Sequence, residues 1–484
     1  MMFTFNDDYL QSLLNSLLLG GSLILTGCGG ETTTAPIVTI APAPVVAPAS
    51  HFTRTVSSPL TNASLTWEAI TVSDINGDGR PDIILANGGA SDRVVSASDN
   101  RTTILLNDGK YQFTQLNTSN LSPTGWVNDW VILPAKTGNP YIIGIDHGRE
   151  IAFDPKYWSN LKVFRYDNGS LTDLSNVPMG NDIGFYHNAS SYGDLNNDGL
   201  MDFVTAELGN FSVFYGDEKT AFREEKFDPR FTQWGNADYI GFTGASVVLD
   251  IGNDGQQDFI LLPFQHTTKY GKDTDGIYAE LFRYNNGMLS VMSKFDARTT
   301  AKLPDSWGYS YAQVIDINKD GLQDFIALAE DPHEPDNTGQ RGFVTFIQKS
   351  DGTFEVFSSM NTTLVDSKQS TMVWAGGSDV WSEYKFQLVD VDGDKNLDLF
   401  WGSWFNGSPN DLKNSVFYGD SSGHFVRNEL KSAEIFKDVT WEGTARTHMT
   451  DLNNDGVGDL LVLQSKWING YEEITPIVYT TTFG

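Results

Sequence analysis

Residues 74–82 read DINGDGRPD, with side-chain oxygens at Asp74, Asn76, Asp78 and Asp82 and a glycine, Gly79, where the chain must turn sharply. A hard cation such as calcium takes six to eight oxygens at about 2.3–2.6 Å. Loop positions one, three, five and nine, helped by a backbone carbonyl near position seven, can wrap one such ion. A single stretch of this kind can also be read as a solvated Asp/Gly turn. The pattern recurs, however, at DLNNDGLMD (Asp194, Asn196, Asp198, Asp202), DIGNDGQQD (Asp250, Asp254, Asp258), DINKDGLQD (Asp316, Asn318, Asp320, Asp324), DVDGDKNLD (Asp390, Asp392, Asp394, Asp398) and DLNNDGVGD (Asp451, Asn453, Asp455, Asp459). Six copies in comparable phase predict up to six calcium sites. The copies are unequal. Gly252 removes the third ligand of the 250–258 loop, which is expected to bind weakly, whereas the 390–398 loop puts Lys395 in place of glycine but gains a carboxylate in Asp392.

The elements that position these loops can be read from their spacing. A ligand-free relative of the loop, PAKTGNPYIIGIDHG (134–148), aligns with INGDGRPDIILANGG (75–89), so unit starts fall at 74, 133, 194, 250, 316, 390 and 451. Here Leu133, Ala135, Thr137 and Tyr141 replace the ligands. Seven units of about 60 residues, each with short runs rich in Val, Ile, Phe and Tyr cut by Gly, Asn and Asp turns, predict four strands per unit and a seven-bladed all-β propeller. No amphipathic helix is expected after residue 50. Within a unit the acidic loop joins the first strand to the second, and a tight glycine hairpin such as RYDNGSL or RYNNGML joins the third to the fourth. The last unit stops at PIVYTTTFG, a third strand without a fourth. SHFTRTVSS (50–58) resembles the fourth strand GHFVRNELK (423–431) and is expected to complete blade seven, closing the ring and removing an open edge.

These repeats resemble the FG-GAP (VCBS) family, whose members form the blades of integrin α-subunit propellers and of many bacterial surface proteins. The resemblance covers residues 51–484 and implies calcium in the acidic loops. It leaves function open among adhesion modules, lectins and appendages of polysaccharide-degrading enzymes. The second repeat departs from the family by lacking ligands, and the FG signature survives only as an aromatic before each first strand.

Composition narrows the partners. A formal charge of −30 and the absence of any basic cluster exclude a nucleic-acid face. The single cysteine, Cys28, comes after an apolar run from Leu17 to Leu25 that is too short to span a bilayer. LTGC resembles a bacterial lipobox, so residues 1–27 are expected to be a lipoprotein-type signal peptide and Cys28 the lipidated terminus, although no Lys or Arg precedes it; a buried apolar stretch is the other reading. Residues 28–50, rich in Thr, Ala and Pro, are expected to form a tether, and 51–484 the propeller. The implied localisation is a bacterial cell envelope, outer-membrane-anchored or facing outward, with the membrane touched through the lipid alone.

Strand order places the acidic loops and glycine hairpins on one face and the long second-to-third-strand connections on the other. Function is expected on the variable face. One aromatic per blade precedes the loop: Trp67, Trp126, Phe185, Phe242, Trp307, Trp381 and Trp441. They are either wedges between blades or, with Trp404, an exposed platform for a sugar ring or a partner side chain. Integrin propellers are similar in using aromatics at this mouth. His147, His187, His266 and His333 map to the same side with Arg149. The favoured expectation is a non-enzymatic, calcium-binding, surface-tethered adhesion or carbohydrate-binding module for a glycan or a cell-surface protein. The alternative is a polysaccharide lyase or hydrolase that uses His147, Arg149, Tyr157, His266 and Lys269 in a cleft on that face.

Overall fold

In the computed structural model, the structure describes residues 50–60, 70–85, 102–122, 127–146, 161–175, 187–207, 210–218, 221–226, 239–268, 279–285, 287–295, 297, 308–330, 341–358, 381–382, 385–406, 412, 415–468 and 471–483. The chain divides into two units, Met1–Ala47 and Pro48–Gly484. Cys28 and the expected signal and tether segments lie outside the described residues, apart from Ser50.

The second unit is a seven-bladed β-propeller. Blade 1 is built from Ile70–Ser73, Asp82–Leu85, Thr103–Asn107 and Phe113–Gln115, and blade 2 from Val127–Leu133, Tyr141–Asp146, Lys162–Asp167 and Ser170–Asp173. Blades 3 to 5 repeat the same order, starting at His187, Tyr239 and Gly308. First strands of neighbouring blades lie against one another, which makes them the inner strands. Seven apolar clusters form the core, each shared by two adjacent blades; one joins Ala245, Val247 and Leu249 of blade 4 to Phe325, Ala327 and Val344 of blade 5, and another joins Ile474 and Val478 of blade 7 to Ile70 and Ile83 of blade 1. The core therefore sits between blades rather than within any one sheet.

Ring closure agrees with the expectation. Ser50–Val56 pairs antiparallel with the C-terminal strand Tyr471–Phe483, from Ser50 opposite Phe483 to Val56 opposite Ile477. Phe52 stacks on Phe436 at 5.8 Å and meets Tyr479 edge-on at 6.1 Å. The chain then crosses to blade 1, where Phe113 N donates to Ser57 Oγ at 3.1 Å.

Three local expectations need correction. A helix does occur after residue 50: Asn428 caps Glu429–Ile435 by accepting from Lys431 N at 3.1 Å. Blade 6's fourth strand is correspondingly only Phe425–Arg427, not the full 423–431. With fewer than two turns, the helix carries too short a pattern to read from the sequence. The last sheet has six strands, because Trp381–Ser382 and Ser403–Asn406 pair with each other and the latter with the inner strand Thr444–Thr450. Part of blade 6's second-to-third-strand connection, expected to be loop, is thus a hydrogen-bonded bridge between blades 6 and 7. Similarly, His266, expected on the variable side among the connections, lies in the strand Asp258–Thr268, paired with Gly241.

Candidate metal centres and the opposite face

Each acidic loop is the turn between a first and a second strand, and its register is fixed just beyond it. Phe203, Phe259 and Phe325 come directly after the ninth-position aspartates and stack on Phe214, Phe282 and Phe346 of the third strand at 4.5, 4.7 and 4.3 Å. Such cross-strand pairs contribute about 0.5–1.5 kcal/mol each. A one-residue slip would turn each ring out of the core and carry its aspartate away from the loop.

The turn itself depends on left-handed backbone. Position six has positive φ in every copy, at Gly79, Gly199, Gly255, Gly321 and Gly456, and also at Lys395 (φ 70). Gly138 adopts it in the ligand-free second blade, so the turn survives there without the carboxylates. The first-position aspartate organises the loop. Asp194 accepts from Asp198 N (3.1 Å) and Gly199 N (2.9 Å), and Asp74, Asp250, Asp316 and Asp451 accept from the matching amides. Asp390 instead accepts from Gly393 N and Lys395 N. At position three, Asn76, Asn196, Asn318 and Asn453 donate to Asp78, Asp198, Asp320 and Asp455 at position five, while Asp392 accepts from Asp394 N.

The ninth-position aspartates are the buried members. Asp82, Asp202, Asp258, Asp324, Asp398 and Asp459 are all 0% exposed. Each except Asp258 accepts one amide from its own loop and one from the third strand, as Asp202 does from Leu195 N (2.9 Å) and Gly216 N (2.8 Å). Burial pushes the carboxyl of Asp82 up to about 6 and those of Asp202, Asp398 and Asp459 up to about 7. Burial also raises Asp324. Neighbouring carboxylates of the same loops add to the rise. A positive partner, added to the backbone amides these carboxylates already accept, would favour their ionised form. The donors are all oxygen, and in blade 6 one oxygen each of Asp390, Asp392 and Asp398 lies within 4.8 Å of the others. The loops of blades 1, 3, 5, 6 and 7 could therefore hold a hard divalent cation. In blade 6 the Lys431 ammonium already lies on Asp392 and 4.0 Å from the Tyr418 ring centroid.

Blade 4 differs. The Arg283 guanidinium binds both oxygens of Asp258 (2.5 and 2.6 Å), Asp254 Oδ2 (2.7 Å) and the Ile251 carbonyl (3.2 Å). Burial also raises Asp258, against the opposing pull of Arg283. The sequence carries a signal for this residue: Phe-Arg-Tyr occurs at 164–166 and 282–284, in the hairpins of the two blades with deficient loops.

Loops of successive blades are tied together on this face. Asp250 N donates to Gln323 Oε1 (2.6 Å), Lys319 Nζ to the Lys395 carbonyl, Gly458 N to the Asp390 carbonyl (2.7 Å) and Asn454 Nδ2 to the Gly79 carbonyl (2.7 Å). Of the residues expected on the opposite side, Trp67, Trp126, Phe185, Trp307, His147, Arg149, Tyr157, Lys269 and His333 lie outside the described residues. The backbone of Trp381 pairs with Trp404, that of Phe242 with Gln265 and that of His187 with Glu207. Trp441, 7% exposed, packs in the cluster shared by blades 6 and 7 with Ile435, Phe436 and Val439. Among the described residues no helix is long and apolar enough to cross a membrane.

Residues 66–105 match the FG-GAP repeat model. An integrin alpha, pat-2, of Caenorhabditis briggsae is 28% identical over 271 residues, which is 52% of this chain and 21% of that protein, so the chain spans about a fifth of the relative's length. Among solved structures, an Agrocybe aegerita lectin described as recognising non-reducing terminal N-acetylglucosamine superposes with a TM-score of 0.45 at 16% identity, over 80% of this chain and 86% of that one. The chain is a seven-bladed β-propeller that carries an FG-GAP repeat and is similar in sequence to an integrin α-subunit.

Proposed function

We propose that this protein is a calcium-stabilised binding module that presents the face opposite its acidic loops to a glycan or a cell-surface protein. The observation that carries this reading is the division of labour between the two faces. The acidic-loop face is committed to holding the ring: its carboxylates organise the turns, and its amides and carbonyls tie blade to blade. The connections on the other side run through 86–102, 147–161, 208–209, 269–278, 331–340, 407–415 and 469–470, so their lengths vary widely from blade to blade. Loops of varied length on a rigid scaffold are where recognition is usually carried. Calcium in the complete loops would give the buried aspartates their positive partner, and the similarity to an integrin α-subunit agrees with an adhesive role at an outward-facing surface. Attachment through Cys28 to a bacterial envelope belongs to the same reading.

The test is binding of the calcium-loaded chain to a printed glycan panel and to whole cells. Trp307→Ala combined with Trp381→Ala is expected to abolish binding with the melting temperature retained. Stacking lost from one platform lowers affinity by about tenfold or more. Lys110→Ala, in the hairpin of the other face, is expected to bind normally. Folded Trp307/Trp381 variants that bind as well as the parent would overturn the choice of face.

A further inference from the structure

Strand register fixes which third-strand residue faces the ninth loop position. In blade 2 it is Arg165, opposite Tyr141, and in blade 4 Arg283, opposite Asp258. At the corresponding register, one step beyond the pairs made by Leu105, Phe214, Phe346, Phe417 and Tyr479, the other blades carry Leu106, Tyr215, Ile347, Tyr418 and Thr480. Arginine thus occurs at this register only in the two blades whose loops lack ligands. Arg283 spends its donors on the oxygens of positions nine and five and on the position-two carbonyl. A guanidinium is permanently charged and presents its donors as a planar fork that matches a carboxylate. The oxygens of Asp254 and Asp258 that face it cannot also enter the shell of an ion needing six or more. Position three offers nothing, because Gly252 has no side chain, and its amide is bound to Gln348 of blade 5 at 2.6 Å. In blade 2, Arg165 Nη2 donates to the Thr137 carbonyl at position five (2.5 Å), and its guanidinium lies 5.1 Å from the ring centroid of Tyr141, which replaces the ninth-position aspartate.

We propose that Arg283 is a tethered cation standing where a metal ion would stand in the complete loops, so that the 250–258 loop takes no calcium, and that Arg165 plays the same part in the ligand-free loop of blade 2. The inference rests on the calcium reading of the other loops. It deepens that reading by dividing the ring into blades that need the ion and two that do not.

The experiment counts calcium on the full chain by equilibrium dialysis and atomic emission, and measures melting in excess chelator. Gly252→Asn combined with Arg283→Leu restores the third donor and removes the competitor, and is expected to hold one more ion per chain than the parent. Arg283→Leu alone leaves a buried carboxylate without its cation and should melt about 3–5 °C below the parent in chelator. Arg283→Lys is expected to fall between the two. No gain of an ion in the double variant, from a parent that holds calcium, overturns the proposal, as does an unchanged chelator melt of Arg283→Leu. A parent and double variant that both bind no calcium would refute the calcium reading instead, and the chelator melt would still decide the role of Arg283.

Discussion

Removing the N-terminal strand Ser50–Val56 tests how the ring is closed. The pairing with Tyr471–Phe483 extends over seven residues, but its ladder bonds, about 0.5–1.5 kcal/mol each net, are offset by about 1–2 kcal/mol per residue for ordering the strand. The balance therefore falls on side chains, and Phe52 is the anchor. It is half-buried, stacked on Phe436 and edge-on to Tyr479. Full burial of a phenylalanine is worth about 3–5 kcal/mol against alanine, so Phe52→Ala should cost about 2 kcal/mol. Deleting 50–58 also removes the Ser57 contacts to Pro476 and Phe113, for a total of about 3–5 kcal/mol. At about 2.1 cal/mol/K per residue, a cooperative unit spanning Pro48–Gly484 loses roughly 1 °C per kcal/mol. The expected losses are thus about 2 °C and about 3–5 °C in a calcium-saturated thermal melt. The deletion also bares the edge of a strand of 13 residues, which should appear as oligomers in size-exclusion chromatography. A 50–58 deletion that stays monomeric and melts with the parent would refute the closure, as would equal damage from deleting 29–48.

Three further outcomes are expected. Chelation should lower the melting temperature, each saturated site being worth about 2.7 kcal/mol at a hundredfold excess of ion over Kd; Asp74→Ala, Asp194→Ala and Asp451→Ala should each reduce that calcium-dependent gain, and Asp250→Ala should leave it nearly intact. Lys431→Met frees Asp392 of a competing ammonium and should tighten calcium binding by the 390–398 loop about tenfold, and an unchanged titration would show that the lysine swings clear at no cost. Burial, reinforced by Lys385, lowers the pKa of His448 to about 3, so as pH falls from 6.5 the unfolded chain gains a proton that the folded chain refuses. Stability is lost toward pH 3 by at most about 1.4 kcal/mol per unit, and His448→Gln should flatten the melt in that window relative to the parent.

The blades and loops are legible in the sequence because their causes are local. A carboxylate at fixed spacing, a glycine at the left-handed position and a phenylalanine straight after the ninth aspartate all act within about ten residues of one another. The tight hairpins are equally local. Arg283 is different, because its partner Asp258 is assigned by strand register across a connection of variable length, and the repeated Phe-Arg-Tyr gains meaning only once that register is known. Trp441 is open to two readings in the sequence because periodicity places a side chain on a strand but does not say whether a neighbouring blade covers it; the helix that precedes it supplies Ile435 and Phe436 as its cover. The six-stranded last sheet is hidden for a related reason. Trp401 and Gly402 interrupt blade 6's second strand, and the next segment, Ser403–Asn406, pairs with blade 7.

The buried ninth-position aspartates connect the fold to its function. Burying six carboxylates at 0% exposure costs free energy that hydrogen bonds or a positive charge must offset, and leucine or valine there would avoid the cost altogether. What an aspartate adds is directional: in blades 1, 3, 5, 6 and 7 its two oxygens bind the loop amide and the third-strand amide at once, as Asp324 does with Ile317 N and Gln348 N, so one residue locks the turn to the sheet. On the proposed reading a cation completes the lock, from solution in the complete loops and from Arg283 in blade 4. Gln348 also grips the Asp250 carbonyl and Gly252 N of the preceding blade, so the lock of blade 5 also holds the loop of blade 4. On the proposed reading, cations on this face would stiffen the scaffold, while the opposite loops vary in length. Calcium should accordingly change the stability of the binding face without being part of it, so a ligand contact made directly through an ion would contradict this account.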